Sequence, residues 1–276
     1  MNARVWPGEG VRWYLTRARH PFKNYIVGHY WRIFEKFHVW IKYDGSSVIN
    51  VRLGDYLQQQ IFFAGYYERP LVDWLKHTLQ PDDIFWDVGA NIGAISLVAA
   101  GLCRRVVAFE PDPRSLECLR KNVAANGLTN VDIVAGALGV KSGTATLYQA
   151  AGSNTGMTSL VPGRAIVVGQ KNVQVFRADD LIAGRPDFAP NVMKIDVEGA
   201  EHLVLGGASA LLRSGRLRAL VFEDRRDANA SPANREVVAR LIEAGYRIAP
   251  FANSDTRAHD EMYNFLATPD IAAAAS

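Results

Sequence analysis

From residue 84 onward the chain repeats one device, a short apolar run followed by a longer stretch with helical spacing. The runs are Ile84 to Val88, Val106 to Phe109, Val131 to Ala135, Val192 to Ile195 and Leu217 to Phe222. Between and after them lie Gly93 to Leu102, Pro113 to Asn126, Ala200 to Arg213 and Pro232 to Ala244. Strands that are apolar throughout are buried on both faces, and strand-helix alternation returns each strand parallel to the last through a right-handed crossover. The pattern predicts an α/β fold built on a doubly wound, mostly parallel sheet. Gly245 to Ala249 and Met262 to Ala267 are two further strand candidates, suited to an antiparallel edge pair.

The first 80 residues read differently. Residues 1 to 36 hold seven Lys and Arg against Glu9 and Glu35, a net +5 in a chain whose total is +3, so the remainder is slightly acidic. Trp6, Trp13, Tyr14, Phe22, Tyr25, Tyr30, Trp31 and Phe34 are interleaved with those cations. Such an arm suits a nucleic-acid contact or a peripheral membrane contact, but the plainer expectation is a helix that packs its rings on the body and leaves arginines in water. His38 to Tyr43 and Val48 to Leu53 alternate around Asp44-Gly45-Ser46-Ser47 and read as a hairpin. Residues 56 to 63 and 66 to 79 have helical spacing, which stops at Pro81-Asp82-Asp83. The expected division is an N-terminal basic-aromatic arm and helical and hairpin cap, residues 1–80, before a catalytic domain, residues 81–276.

A content of 49% hydrophobic and 21% charged residues excludes a disordered or fibrous chain. Cys103 and Cys118 have no CxxC or histidine partner pattern, so neither a disulfide framework nor a zinc site is expected. A cytoplasmic location is the expectation, and the longest apolar runs, such as Ile92 to Leu102, are too short to span a bilayer. The stretch between Leu147 and Val173 contains Gly152-Ser153-Asn154-Thr155-Gly156, where an α/β connection ordinarily takes about two to six residues. Residues 150 to 172 are expected to form a mobile lid over the bound substrate.

The chemistry concentrates at strand ends. FWDVGANIGAISL, residues 85 to 97, carries Asp87, Gly89, Asn91 and Gly93 at a strand-to-helix turn. Such a turn lets a ligand approach the backbone and faces it with a helix N-terminus. Asn91 tolerates the left-handed conformation that a middle glycine would otherwise supply. The next strand ends in VVAFEP, which sets Glu110 beside the turn, where a carboxylate accepts hydrogen bonds from ribose hydroxyls. A dinucleotide fingerprint would read GxGxxG, and Asp87 would repel a pyrophosphate while suiting a ligand with an ammonium and a sulfonium. MKIDVEGAEHLVLGGA, residues 193 to 208, places Asp196 at the end of a buried strand, Glu198 and Gly199 in the loop and Glu201 and His202 on a helix.

DVGANIG at 87 to 93, AFEPDP at 108 to 113, VDIVAGALG at 131 to 139 and KIDVEGAE at 194 to 201 together resemble the FkbM-type S-adenosylmethionine-dependent methyltransferases. The resemblance covers residues 66 to 267. It implies the Rossmann-like class I methyltransferase fold, with S-adenosylmethionine as methyl donor and S-adenosylhomocysteine as product. Asp87, Gly89, Asn91 and Gly93 would surround the methionine moiety, Glu110 would hold the ribose, and Ala137 and its neighbours would flank the adenine. Tyr67 and Glu68 resemble a position that closes over the cofactor, and Asp196 and Glu198 would lie near the transferable methyl. The implied acceptor is a hydroxyl on a sugar, a glycoside or another small secondary metabolite.

If the acceptor is an alcohol, a base must take its proton, and Asp196, Glu198, His202, Glu223 and Asp224 are the candidates. Asp196 with Glu223 and Asp224 offers hard oxygen ligands to a divalent cation, but no metal is expected. Nucleic acid is not an expected partner. Two other classes stay open at this point, an NAD-dependent oxidoreductase and a non-catalytic Rossmann-like binding module.

Overall fold

The computed structural model describes residues 7–17, 36–150, 155–162, 166–225, 232–251 and 262–270. A seven-stranded sheet forms its centre: β3 (Ile84–Val88), β4 (Arg105–Phe109), β5 (Val131–Val134), β9 (Val192–Ile195), β10 (Ala219–Arg225), β11 (Tyr246–Pro250) and β12 (Met262–Pro269). Their order across the sheet is β11-β12-β10-β9-β3-β4-β5. Strands β10, β9, β3, β4 and β5 run parallel, and β12 is antiparallel to both of its neighbours, as the edge-pair reading expects.

The alternation of β3 divides the interior. Phe85 joins the apolar cluster on one face and Trp86 the cluster on the other, both fully buried. The first cluster receives α4 (Ala94–Ala100) and α5 (Pro113–Ala125) through Leu97 and Leu119. The second receives α6 (Ala178–Gly184), α7 (Glu201–Gly206), α8 (Ser209–Arg213) and α9 (Pro232–Glu243) through Ala178, Val204, Leu211 and Leu241. Helix α5 starts where Asp112 caps the N–H of Arg114 and Pro113 sits in the first turn, a position that needs no donor.

The cap consists of α1 (Pro7–Arg17), the antiparallel hairpin β1 (His38–Tyr43) and β2 (Ser47–Arg52), and helices α2 (Tyr56–Ala64) and α3 (Arg69–Thr78). Ile41, Ile49, Ile61 and Leu75 belong to the same apolar cluster as Leu97 and Val106 of the sheet domain. The Asn50 N–H donates to the Asn122 side chain at 2.7 Å, which fastens β2 to α5. Most of the basic-aromatic arm, residues 1–6 and 18–35, lies outside the described residues. In α1 the expected arrangement is inverted at two positions. Trp13 is 58% exposed, while the Arg12 guanidinium lies against Gly65 and the Phe63 carbonyl. The exposed stripe of this helix runs through Gly10, Trp13 and Arg17, so helical phase sends the ring outward.

Two expectations are corrected. Residues 151–154 and 163–165 of the expected lid lie outside the described residues. The rest of the span from Leu147 to Val173 is not an open loop, since β7 (Gly143–Ala150) and β8 (Val167–Phe176) pair antiparallel, with Leu147 opposite Lys171. With the short β6 (Ala137–Leu138) they form a second sheet of order β6-β8-β7. Residues 167 to 172 are largely exposed, and a solvated ribbon carries no apolar alternation to reveal it. The single helix expected over 200 to 213 is broken into α7 and α8 at Gly207, where a Cβ would stand 2.1 Å from the Gly139 carbonyl oxygen. Only glycine lets the two backbones approach there. Cys103 and Cys118 are both free, and among the described residues no helix is long and apolar enough to cross a membrane.

Candidate functional site

The strand order reverses between β3 and β9. From β3 the chain winds outward through β4 and β5, then returns to β9 and winds the other way. Such a switch point opens a crevice at the strand C-termini. Lining it are Gly89, Ala90 and Asn91 after β3, Glu110 after β4, Ala137 and Leu138 of β6, Lys194 and Asp196 at the end of β9, and Glu223 of β10. Tyr67 and Leu57 of the cap and residues 155–156 and 158–160 of the hairpin tip complete its wall.

The glycine turn is set by backbone conformation. Gly89 (φ 80°), Asn91 (φ 51°) and Gly93 (φ 90°) all adopt the left-handed region, which favours glycine and tolerates asparagine. A Cβ on Gly89 would stand 1.8 Å from the Asp196 carbonyl oxygen, so the turn and the β9 loop touch through backbone. Glu110 closes the turn from the other side. Its Oε2 accepts the Asn91 N–H at 2.7 Å and its Oε1 the Asp112 N–H at 2.7 Å. Burial raises this carboxyl to about 7, against those two amide donors that favour its charged form. The Oδ1 of Asn91 is buried with no hydrogen-bond partner among the described residues, an acceptor left over at the turn.

Asp87 is fully buried and does not line the crevice. It accepts the Ser96 hydroxyl at 2.6 Å and faces Lys194 Nζ at 3.4 Å. Register explains that pair, since Asp87 and Lys194 are opposite each other on neighbouring parallel strands. Lys194 Nζ also lies 3.2 Å from Asp196 Oδ2 and donates to the Gly89 carbonyl at 3.1 Å. Burial opposes its charge, but Asp196, Asp87 and Glu68 outweigh it and raise the ammonium above its ordinary range. Lys194 was not among the sequence candidates. A lysine inside the otherwise apolar strand VMKI is the signal that could have found it, because a buried ammonium requires carboxylate partners.

Of the five candidates for proton removal, the structure brings three together, and the side chain of Asp224 lies outside the described residues. Carboxylate oxygens of Asp196, Glu198 and Glu223 lie within 4.8 Å of one another. Burial, then Asp196, Glu198 and Glu68, push Glu223 well above the usual carboxylate range, so it favours the protonated form. His202 lies apart from the crevice lining, on α7, which packs against α9, and its Nδ1 is buried without a partner among the described residues. Glu68 and Gly93 also fall outside the lining. Glu68 precedes α3 with φ 42° and is raised by burial and by Asp196, the shift being opposed by Lys194.

The amides after β9 do not go to Asp196. Val197 N–H and Gly199 N–H both donate to Oε1 of Glu201, at 3.2 and 3.1 Å, so Glu201 builds the turn. The roof is fastened at three points: Thr155 to Asp55, the Thr158 hydroxyl to Arg114 at 3.4 Å, and the Ser159 hydroxyl to the Glu198 carbonyl at 2.9 Å. None of these anchors has a local sequence signal.

The family model described as the methyltransferase FkbM domain matches residues 87–248. The hexuronic acid methyltransferase AglP of Haloferax volcanii is 29% identical over 147 residues, which are 53% of this chain and 59% of that protein. The 31-O-demethyl-FK506 methyltransferase FkbM of Streptomyces tacrolimicus is 30% identical over 237 residues, 74% of this chain and 87% of the relative. A solved methyltransferase FkbM from Methylobacillus flagellatus superposes with a TM-score of 0.46 at 18% identity, over 77% of this chain and 52% of that one.

Proposed function

The chain belongs to the FkbM methyltransferase family, and from that membership we propose that it methylates a hydroxyl of a small molecule, a sugar, glycoside or other secondary metabolite, with S-adenosylmethionine as donor. One observation carries the reading: the glycine turn, Glu110 and the Asp196 carboxylate open into a single crevice at the switch point of the sheet. The leftover acceptor Asn91 Oδ1 and the small residues Gly136 and Ala137 fit such a donor. When bound, S-adenosylmethionine supplies an electrophilic methyl group on a positively charged sulfur.

The chain's own residues have three tasks. Glu110 accepts hydrogen bonds from sugar hydroxyls while anchored to the turn. Asp196, beside the Lys194 ammonium, takes the acceptor's proton, and Glu223 in its protonated form donates a hydrogen bond. Tyr67 and the roof over residues 155–160 exclude water and align the acceptor, which supplies most of the acceleration in an in-line displacement. Since that displacement needs no Lewis acid, no divalent cation is required in this reading, and EDTA is expected to leave turnover unchanged.

Titration calorimetry with S-adenosylhomocysteine and incubation of glycans and metabolites with methyl-labelled donor test the proposal. Binding of the product and label on an oxygen support it. A protein that ignores S-adenosylhomocysteine but binds nucleic acid in a salt-sensitive way would instead be a binding module.

A further inference from the structure

The geometry points to Lys194 as a positioning residue that joins the glycine turn to the β9 loop and sets the charge at the transfer point. Its ammonium reaches three groups from two neighbouring segments: the Asp87 carboxylate and the Gly89 carbonyl on the β3 side, and the Asp196 carboxylate on its own strand. It is 5% exposed, and Asp87 is not exposed at all. Two carboxylates at adjacent strand ends, one of them fully buried, would repel each other without a cation between them. Lys194 is the one Lys or Arg among the described residues that line the crevice. Glu68 at the start of α3 and Glu110 after β4 also feel its charge, and Glu223 on β10 faces Asp196, so this single positive charge serves several acids. The donated bond to Gly89 adds a second effect: the carbonyl it holds belongs to the turn that touches Asp196 through backbone.

Loss of this charge therefore alters two things at once, the shape of the turn and the protonation of its flanking carboxylates. A purely steric role alters only the first. The inference rests on the crevice being the S-adenosylmethionine site only for its ligand readout, while the stability readout is independent of that reading.

The test compares wild type with Lys194→Gln, which keeps a donor and loses the charge, and Lys194→Arg, which keeps the charge. Ligand-free melting is measured at pH 6 and pH 8, and S-adenosylhomocysteine affinity by calorimetry at both. The Gln variant is expected to melt below wild type by a margin that widens at pH 8, where no proton replaces the lost charge. Its affinity is expected to fall by about tenfold or more at pH 8 and by less at pH 6, as breaking a buried ion pair implies. The Arg variant keeps the wild-type pH profile. A Gln deficit equal at both pH values, or no deficit, overturns the proposal. If the Gln variant does not fold, the Arg variant decides: a pH profile unlike that of wild type also overturns it. Wild type that fails to bind S-adenosylhomocysteine removes the donor assignment, while the melting comparison still judges Lys194.

Discussion

Thr155 gives both its backbone N–H, at 2.8 Å, and its hydroxyl, at 2.6 Å, to the same carboxylate oxygen of Asp55, a hundred residues earlier. The other oxygen of Asp55 caps α2 through the Gln58 N–H at 3.1 Å. A fully buried aspartate thus joins the cap, which contributes Leu57 and Tyr67 to the crevice wall, to the hairpin tip, which contributes Thr155.

Thr155→Val removes one of those bonds at nearly constant volume. The expected cost is about 1.5 to 3 kcal/mol, the range for a hydrogen bond to a charged group, read as a lower denaturant midpoint. Hydrogen exchange over residues 155–162 should rise. Unchanged exchange would show that Arg114 and Ser159 hold the roof alone.

Two glycines with similar backbone angles make a matched pair. Gly89 (φ 80°) would carry its Cβ 1.8 Å from backbone oxygen, whereas Gly127 (φ 62°) has nothing within 4 Å. Gly127→Ala should cost about 1 to 2 kcal/mol, the penalty for a left-handed alanine. Gly89→Ala should cost more and abolish binding of S-adenosylhomocysteine. Equal stability losses would mean that the contact with Asp196 is readily relaxed.

Stability should also report Glu110. Its folded pKa, raised by burial to about 7, exceeds the ordinary 4.5, so between those values the folded protein holds a proton that the unfolded chain has released. Its contribution is therefore greatest at the acid end of that window and is lost as pH rises through about 7. The lowered, exposed carboxylates Glu117 and Asp180 are ionised in both states there and do not mask it. The melting temperature of the ligand-free protein should fall from pH 5 to pH 8. Glu68 and Glu223, also raised by burial, act in the same direction, so Glu110→Gln should make the fall shallower without abolishing it. The same substitution is expected to weaken S-adenosylhomocysteine by about 1.5 to 3 kcal/mol.

Asp196→Asn separates structure from catalysis. Because Glu201, not Asp196, accepts the amides of Val197 and Gly199, the substitution leaves the turn in place. S-adenosylhomocysteine affinity should hold within a fewfold, and turnover on an identified acceptor should drop by about 10²-fold or more. Near-normal turnover would move the base to Glu198.

The central strands were legible because burial on both faces writes itself into consecutive residues, as in Ile84 to Val88 and Val106 to Phe109. So was the turn, since Gly89, Asn91 and Gly93 are the residue types that the left-handed backbone permits, and Glu110 followed from its place at the next strand end. The ribbon of β7 and β8 was not legible, because strands bathed in water need no apolar alternation.

Sequence by itself determined the winding of the sheet and the position of the crevice along it, both consequences of local pattern and a handedness common to all such chains. Tertiary structure alone decided that His202 would lie outside the crevice while Asp196 and Glu223 met inside it, that Lys194 would stand between Asp87 and Asp196, and that Thr155 would reach Asp55. Periodicity reports which face of an element is buried. Which charges then share that burial depends on strand order and register, and these are fixed only when distant segments pack.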